Sequence, residues 1–117
     1  MMQWFIRATC PEPVIAPQPL PRGVAIRQAG WLPSLAGVVG RMRGPAAAVT
    51  LGRTIIVHPA VRVTEELLRH ELEHVKQWQE YRWTFPVRYV MNHLRYGYFD
   101  NPFEVEARRA ERAAGSD

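Results

Sequence analysis

The segment Arg69-His-Glu-Leu-Glu-His74 holds the pattern His-Glu-x-x-His, in which two imidazoles stand four residues apart. Residues four apart on an α-helix lie one turn apart on the same face, so His70 and His74 are placed to share one metal ion. Such an ion lowers the pKa of a bound water from about 15.7 to about 7, and Glu71 beside the pair is placed to accept the proton as general base. The pattern therefore predicts a zinc (Zn2+) site that activates water, and two metal-free surface histidines are the alternative.

A catalytic zinc site needs a third protein ligand and one open position. Downstream, the run Asn101-Pro-Phe-Glu-Val-Glu-Ala107 offers two carboxylates, Glu104 and Glu106, and the helical wheel alone does not choose between them. With Asn101 as N-cap, Glu104 is also the third helical residue of a capping box, which is a purely structural role. The sequence therefore narrows the third ligand to two candidates.

The run from Leu68 to Val75, followed by the Asn101–Ala107 run, resembles the gluzincin zinc peptidases, and in particular the very small minigluzincins. The resemblance spans residues 53–111 and implies hydrolysis of peptide bonds, with a peptide or unfolded protein as substrate. In that clan the third zinc ligand is a glutamate on a later helix, and in several branches this glutamate stands three positions before an alanine. The resemblance therefore favours Glu104, which precedes Ala107 by three.

Two further roles follow from the resemblance. The clan usually stabilises the transition state through a Tyr or His near the metal, and Tyr98 is the chosen candidate here, ahead of Tyr96 and His93. Many gluzincins also place an aspartate four residues after the ligand glutamate, where it orients a zinc-binding histidine. Arg108 stands at that position, so second-shell support must come from elsewhere, for which Glu111 is the candidate.

The substrate is also expected to lie along an edge strand, as is common in gluzincins. The last strand before the active-site helix fits that place, and its free main-chain groups would hold an extended peptide by strand addition. The predicted substrate-binding residues are Thr54, Ile55, Ile56, Val57 and His58.

The elements that must position these residues can be predicted from the surrounding pattern. Residues 47–51 and 54–58 are β-prone runs joined by Gly52-Arg53, a Gly-first hairpin turn, and Val24–Arg27 is a shorter strand candidate. Thr64 offers an N-cap, and no Gly or Pro interrupts the helix pattern that follows until after Thr84.

Two more helices follow the first. One runs from Pro86 to Gly97 with apolar residues at helical spacing, and the other begins at Asn101-Pro102 with small residues along one stripe. The prediction is an α+β fold: a small antiparallel sheet, a His-Glu-x-x-His helix and a downstream glutamate helix, in a minimal zincin-like arrangement.

Five prolines between Pro11 and Pro21 favour an extended arm. We therefore expect residues 1–22 to form a proline-rich arm and residues 23–117 to form a single zincin-like metallopeptidase domain. Minigluzincins include latent forms, so the arm is a candidate shield of the zinc cleft, and the C-terminal tail, residues 113–117, is the competing candidate. Cys10 is expected to be a buried inert thiol, with a thiolate ligand of the metal as the remote alternative. The segment from Trp31 to Met42 is left without assignment because its glycines and proline weaken a helix prediction.

Composition narrows the remaining functions. The basic residues are scattered, and the net charge is only +4, so nucleic-acid binding is not expected. No apolar run is long enough to span a membrane, no secretory signal is seen, and a lone cysteine excludes an internal disulfide, so a cytoplasmic location is expected. A non-catalytic zinc-binding interaction module and a metal-free helical scaffold remain as alternatives to the peptidase.

Overall fold

The computed structural model describes residues 12–13, 16–17, 19–29 and 48–113. The chain divides into two compact units, Met1–Thr64 and Glu65–Asp117. Among the described residues, the strands lie in the first unit and the helices in the second. Cys10 and the segment left unassigned between Trp31 and Met42 lie outside the described residues.

The first unit contains a sheet of four short strands. These are β1 (Glu12–Pro13), β2 (Ala25–Gln28), β3 (Ala48–Leu51) and β4 (Thr54–Val57), in the order β1-β2-β4-β3. The predicted hairpin is β3–β4, in which Leu51 pairs with Thr54 across Gly52-Arg53. Gly52 has a φ of 63°, a conformation that a Gly-first hairpin turn requires and that glycine adopts without strain. The α+β class is therefore confirmed.

The sheet is mixed, however, and not purely antiparallel as predicted, because β2 runs parallel to β4. Strand β4 is consequently central, with β2 on one side and β3 on the other. The prediction that Thr54, Ile55, Ile56 and Val57 form an edge strand with free main-chain groups is wrong, since those groups already serve two ladders. All four side chains are buried, as expected for a continuous apolar run in an inner strand.

His58, the last of the predicted substrate-binding residues, follows β4 and makes a local contact. Its Nδ1 accepts a hydrogen bond from the Ala60 main-chain N–H at 3.1 Å. Part of the predicted arm also belongs to the sheet, because β1 pairs antiparallel with β2. That the arm shields the zinc cleft stays a prediction.

The second unit contains three helices: α1 (Glu65–Tyr81), α2 (Phe85–Asp100) and α3 (Pro102–Ala113), with a 3-10 turn at Arg82–Thr84 between the first two. Glu65 and Glu66 lie in the first turn of α1, where acidic side chains favour the positive end of the helix dipole. Gly97, the predicted stop of the second helix, is instead a kink with φ 82° and ψ 175°, and helical structure resumes until Asp100.

Aromatic rings hold these helices together. Phe103 of α3 packs edge-on against Phe85 of α2, with ring centroids 4.9 Å apart, and against Tyr81 at 5.5 Å. Ala107 is fully buried, which is consistent with the close helix approach predicted from the small residues of α3. No helix among the described residues is long and apolar enough to cross a membrane.

The apolar residues that predict α2 do not form its buried face. Val87, Val90, Met91 and Leu94 are all more than half exposed, whereas Phe85 is buried. Helix α2 therefore carries an exposed apolar stripe as well as the aromatic side that it uses for packing.

Candidate metal centre

Helix α1 brings the first three predicted site residues together. The rings of His70 and His74 have centroids 5.1 Å apart, and one ligand atom from each of His70, Glu71 and His74 lies within 4.8 Å of the others. Glu71 and His74 are buried and His70 is half-buried, so the group is largely withdrawn from water. One turn of helix spacing accounts for this arrangement, as the motif predicts.

Helix α3 adds Glu104 to the group. Its Oε1 lies 2.9 Å from Nε2 of His70 and 3.2 Å from Nε2 of His74. Two ligand atoms that share one tetrahedral zinc ion lie about 3.3 Å apart, given metal–ligand bonds of about 2.0–2.2 Å. Two imidazole nitrogens and one carboxylate oxygen therefore converge closely enough to fit one ion, while Oε2 of Glu71 stays 4.0 Å from Nε2 of His70.

The rival ligand Glu106 is placed elsewhere. Its side chain is exposed, and its Oε2 accepts a hydrogen bond from Nε2 of Gln77 at 3.3 Å. Of the two downstream carboxylates, the structure therefore brings Glu104 to the histidines.

The second oxygen of Glu104 is held by a tyrosine that the sequence analysis did not select. The Tyr89 hydroxyl donates to Glu104 Oε2 at 2.5 Å. Asn101 joins α2 to the start of α3 through two hydrogen bonds. Its Nδ2 donates to the Tyr89 carbonyl at 3.1 Å, and its Oδ1 caps α3 by accepting the Phe103 N–H at 3.0 Å. Both carboxylate oxygens of Glu104 are thus engaged with side chains of the cluster, and the capping-box role is not seen.

The outer nitrogens of both imidazoles also have partners. His70 Nδ1 lies 2.7 Å from Oε1 of Glu111, the residue proposed from sequence as the replacement for the missing aspartate. His74 Nδ1 lies 2.8 Å from Oε1 of Gln77. Gln77 was missed, although its position three residues after His74 on one helix is a signal that could have indicated it.

Arg108, which stands where many gluzincins place an aspartate, packs away from the two histidines. Its guanidinium lies over the Phe99 ring, 4.2 Å from the centroid, and it donates to the Phe99 carbonyl. The carboxylate beside His70 Nδ1 is instead that of Glu111, one helical turn later on α3.

The charged groups of the cluster shift one another's pKa values. Burial by itself would lower the pKa of His74, but hydrogen bonding to Glu104 and the charge of Glu71 raise it to about 9. The pKa of His70 is also raised, because Glu104, Glu71 and Glu111 outweigh burial. Conversely, burial would raise the pKa of Glu104, yet its bonds to both histidines hold it well below its usual range. The surrounding carboxylates therefore favour the protonated form of both imidazoles.

Tyr98, the predicted transition-state donor, lies within the electrostatic field of the same carboxylates. Partial burial, followed by the negative charges of Glu104 and Glu71, raises the pKa of its hydroxyl. Because this pKa is raised, the hydroxyl is neutral near pH 7. The residue is 36% exposed, so it is only partly covered by the protein. Its role as a donor to a substrate stays a prediction.

Comparison with known proteins gives one match. A family model described as the eCIS core domain matches residues 41–82. That segment contains the β3–β4 hairpin and the whole of α1, with His70, Glu71 and His74, but it ends before Glu104. No curated protein and no solved structure matches the chain. The match and the His-Glu-x-x-His cluster are compatible with a zincin-like fold, and the cluster is a possible metal site.

Proposed function

We propose that this chain is a zinc-dependent peptidase of the gluzincin kind, resembling the minigluzincins. His70, His74 and Glu104 are the proposed ligands, and Glu71 is the proposed general base. The observation that carries the proposal is the convergence of both Nε2 atoms on one oxygen of Glu104. Two histidines and one glutamate are the ligand set of catalytic zinc peptidases, which leave a position for water.

A zinc ion held there would supply Lewis acidity toward the scissile carbonyl and toward water. Glu71 is buried beside the ligand atoms but farther from His70 Nε2 than Glu104 is, which suits a group that handles protons and does not bind metal. Its carboxylate would accept a proton from the attacking water and return it to the leaving amine. Tyr98 would donate a hydrogen bond to the carbonyl oxygen as negative charge develops there.

The proposal is tested by a matched pair of substitutions on α1. Glu71→Gln should keep one zinc per chain and the fold but abolish cleavage of an unfolded protein, because an amide cannot accept the proton. Glu73→Gln, a half-buried neighbour that pairs with Lys76 at 3.4 Å, should keep both zinc and cleavage. Equal turnover by the wild type and Glu71→Gln would remove Glu71 from the mechanism.

A second candidate is a non-catalytic zinc-binding module. It is favoured by one observation: Arg108 stands where many gluzincins place an aspartate, and its guanidinium lies over the Phe99 ring. The carboxylate beside His70 is therefore that of Glu111, which is partly exposed. The same experiment separates the candidates: full zinc occupancy without cleavage in the wild type supports the module. No zinc in the wild type would leave the metal-free helical scaffold.

A further inference from the structure

Gln77 is a buried carboxamide whose orientation is determined by two acceptors. Its side-chain Nε2 donates to the Phe103 main-chain carbonyl at 3.0 Å and to Glu106 Oε2 at 3.3 Å, and only 2% of the residue is exposed. A main-chain carbonyl can only accept a hydrogen bond, so the amide nitrogen must face it. The flipped orientation would set the amide oxygen against two acceptors, which is unfavourable in a buried site.

This orientation determines which nitrogen of His74 carries hydrogen. The Gln77 Oε1 faces His74 Nδ1 at 2.8 Å and can only accept, so Nδ1 must be the donor. An imidazole that keeps hydrogen on Nδ1 can offer a lone pair only from Nε2. That atom is the one 3.2 Å from Glu104 Oε1.

We propose that Gln77 is a positioning residue that commits His74 to bind metal through Nε2, and that the Phe103 carbonyl sets Gln77 in turn. The inference rests on the proposed metal site. Phe103 immediately precedes Glu104 in the first turn of α3. The same helical turn therefore supplies the carboxylate ligand and orients the histidine ligand on the neighbouring helix.

The two outer contacts differ in chemistry. Glu111, beside His70, is a carboxylate whose side chain is 35% exposed. Gln77 is buried and neutral, and an amide accepts a hydrogen bond without taking up the proton. The orientation of His74 is therefore held by a group that does not change charge.

The test uses the full chain and a matched pair of glutamines on α1. Gln77→Met keeps a side chain of similar length without hydrogen bonds, and exposed Gln79→Met is the control. Zinc affinity, measured by competition with a chelator, should fall about 10- to 100-fold in Gln77→Met and stay unchanged in Gln79→Met. In the zinc-loaded wild type, nitrogen-15 NMR should show His74 protonated at Nδ1, and Gln77→Met should lose that single form.

A purely structural role predicts a different pattern. If Gln77→Met unfolds more easily while its folded form binds zinc as tightly as the wild type, the inference is overturned. Should Gln77→Met fail to fold, the wild-type NMR signal decides alone: a zinc-loaded His74 with hydrogen on Nε2 overturns the inference and leaves the zinc site standing. A wild type that binds no zinc at His70 and His74 overturns both.

Discussion

Proton binding and metal binding compete for the same atoms of His74 and Glu104. Nε2 of His74 lies 3.2 Å from Oε1 of Glu104, so the two side chains form a charged pair when the imidazole is protonated. Every buried side-chain polar atom among the described residues has a hydrogen-bond partner. Zinc must displace the protons that the carboxylates hold on the imidazoles, and zinc affinity should therefore rise with pH.

The metal-free protein should show the opposite pH dependence. The pKa of His74 rises from 6.5 to about 9 on folding, so its contribution is fully present below pH 6.5 and is lost as pH rises through about 9. The pKa of Glu104 is lowered, so its contribution is present above pH 4.5 and is lost on acidification. In chelator, the free energy of unfolding should decrease from pH 6 to pH 9 by up to about 3 kcal/mol.

Urea titrations at the two pH values measure this difference. The His74→Gln variant, which cannot carry the charge, should show a smaller decrease than the wild type. A wild-type stability in chelator that rises between pH 6 and pH 9 would contradict the assignment of His74 as a charged partner of Glu104.

Tyr89 anchors the carboxylate that the two histidines share. Removing its hydroxyl in Tyr89→Phe should cost about 1.5–3 kcal/mol, as expected for a hydrogen bond to a charged group, and should also weaken zinc binding. Tyr96→Phe, at an exposed position on the same helix, is the control and should be near neutral. Thermal unfolding with and without zinc measures both effects, and equal melting temperatures for the two variants would exclude the anchoring role.

At the scale of elements, local sequence spacing predicted helix α1, but it did not predict which neighbouring elements pack against its site residues. His70, Glu71 and His74 follow from a pattern within one helix, and Glu104 followed from a family resemblance. Tyr89 could not be predicted in the same way, because its contact joins α2 to α3 and depends on how those helices cross. The central position of β4 was similarly hidden, since it depends on the parallel pairing of β2, which is far away in sequence.

Helix α2 shows why an apolar stripe does not by itself identify a buried face. Leu94 belongs to the apolar stripe from which the helix was predicted, yet it is 76% exposed, whereas Phe103 of α3 is 6% exposed. We expect Leu94→Ala to change the free energy of unfolding by less than about 0.5 kcal/mol and Phe103→Ala to cost about 3–5 kcal/mol. Denaturant unfolding of both variants checks this, and a large loss in Leu94→Ala would mean that this side of α2 is covered.

At the scale of the whole molecule, the candidate metal centre lies entirely within the second unit. Its inner residues come from α1 and α3, and the Tyr89 anchor comes from α2. Helix α3 contributes three groups to the centre: the side chains of Glu104 and Glu111, and the Phe103 carbonyl that orients Gln77. The eCIS core domain match stops before α3, so the matched segment holds the histidines without the carboxylate that we propose as third ligand.

The proposed latency belongs to this scale, and the sheet determines how it must be tested. Removing all of residues 1–22 would also remove β1, which pairs with β2, so a gain of activity and a damaged sheet would be confounded.

Deleting residues 1–11 leaves β1 in place and removes Cys10. If this segment shields the zinc cleft, the truncated protein should cleave an unfolded protein faster than the full chain, at unchanged zinc content. The same truncation carrying Glu71→Gln should stay inactive, which separates release of the proposed site from a contaminating protease. A truncated protein that is folded and zinc-loaded but cleaves no faster would mean that residues 1–11 do not restrain the site.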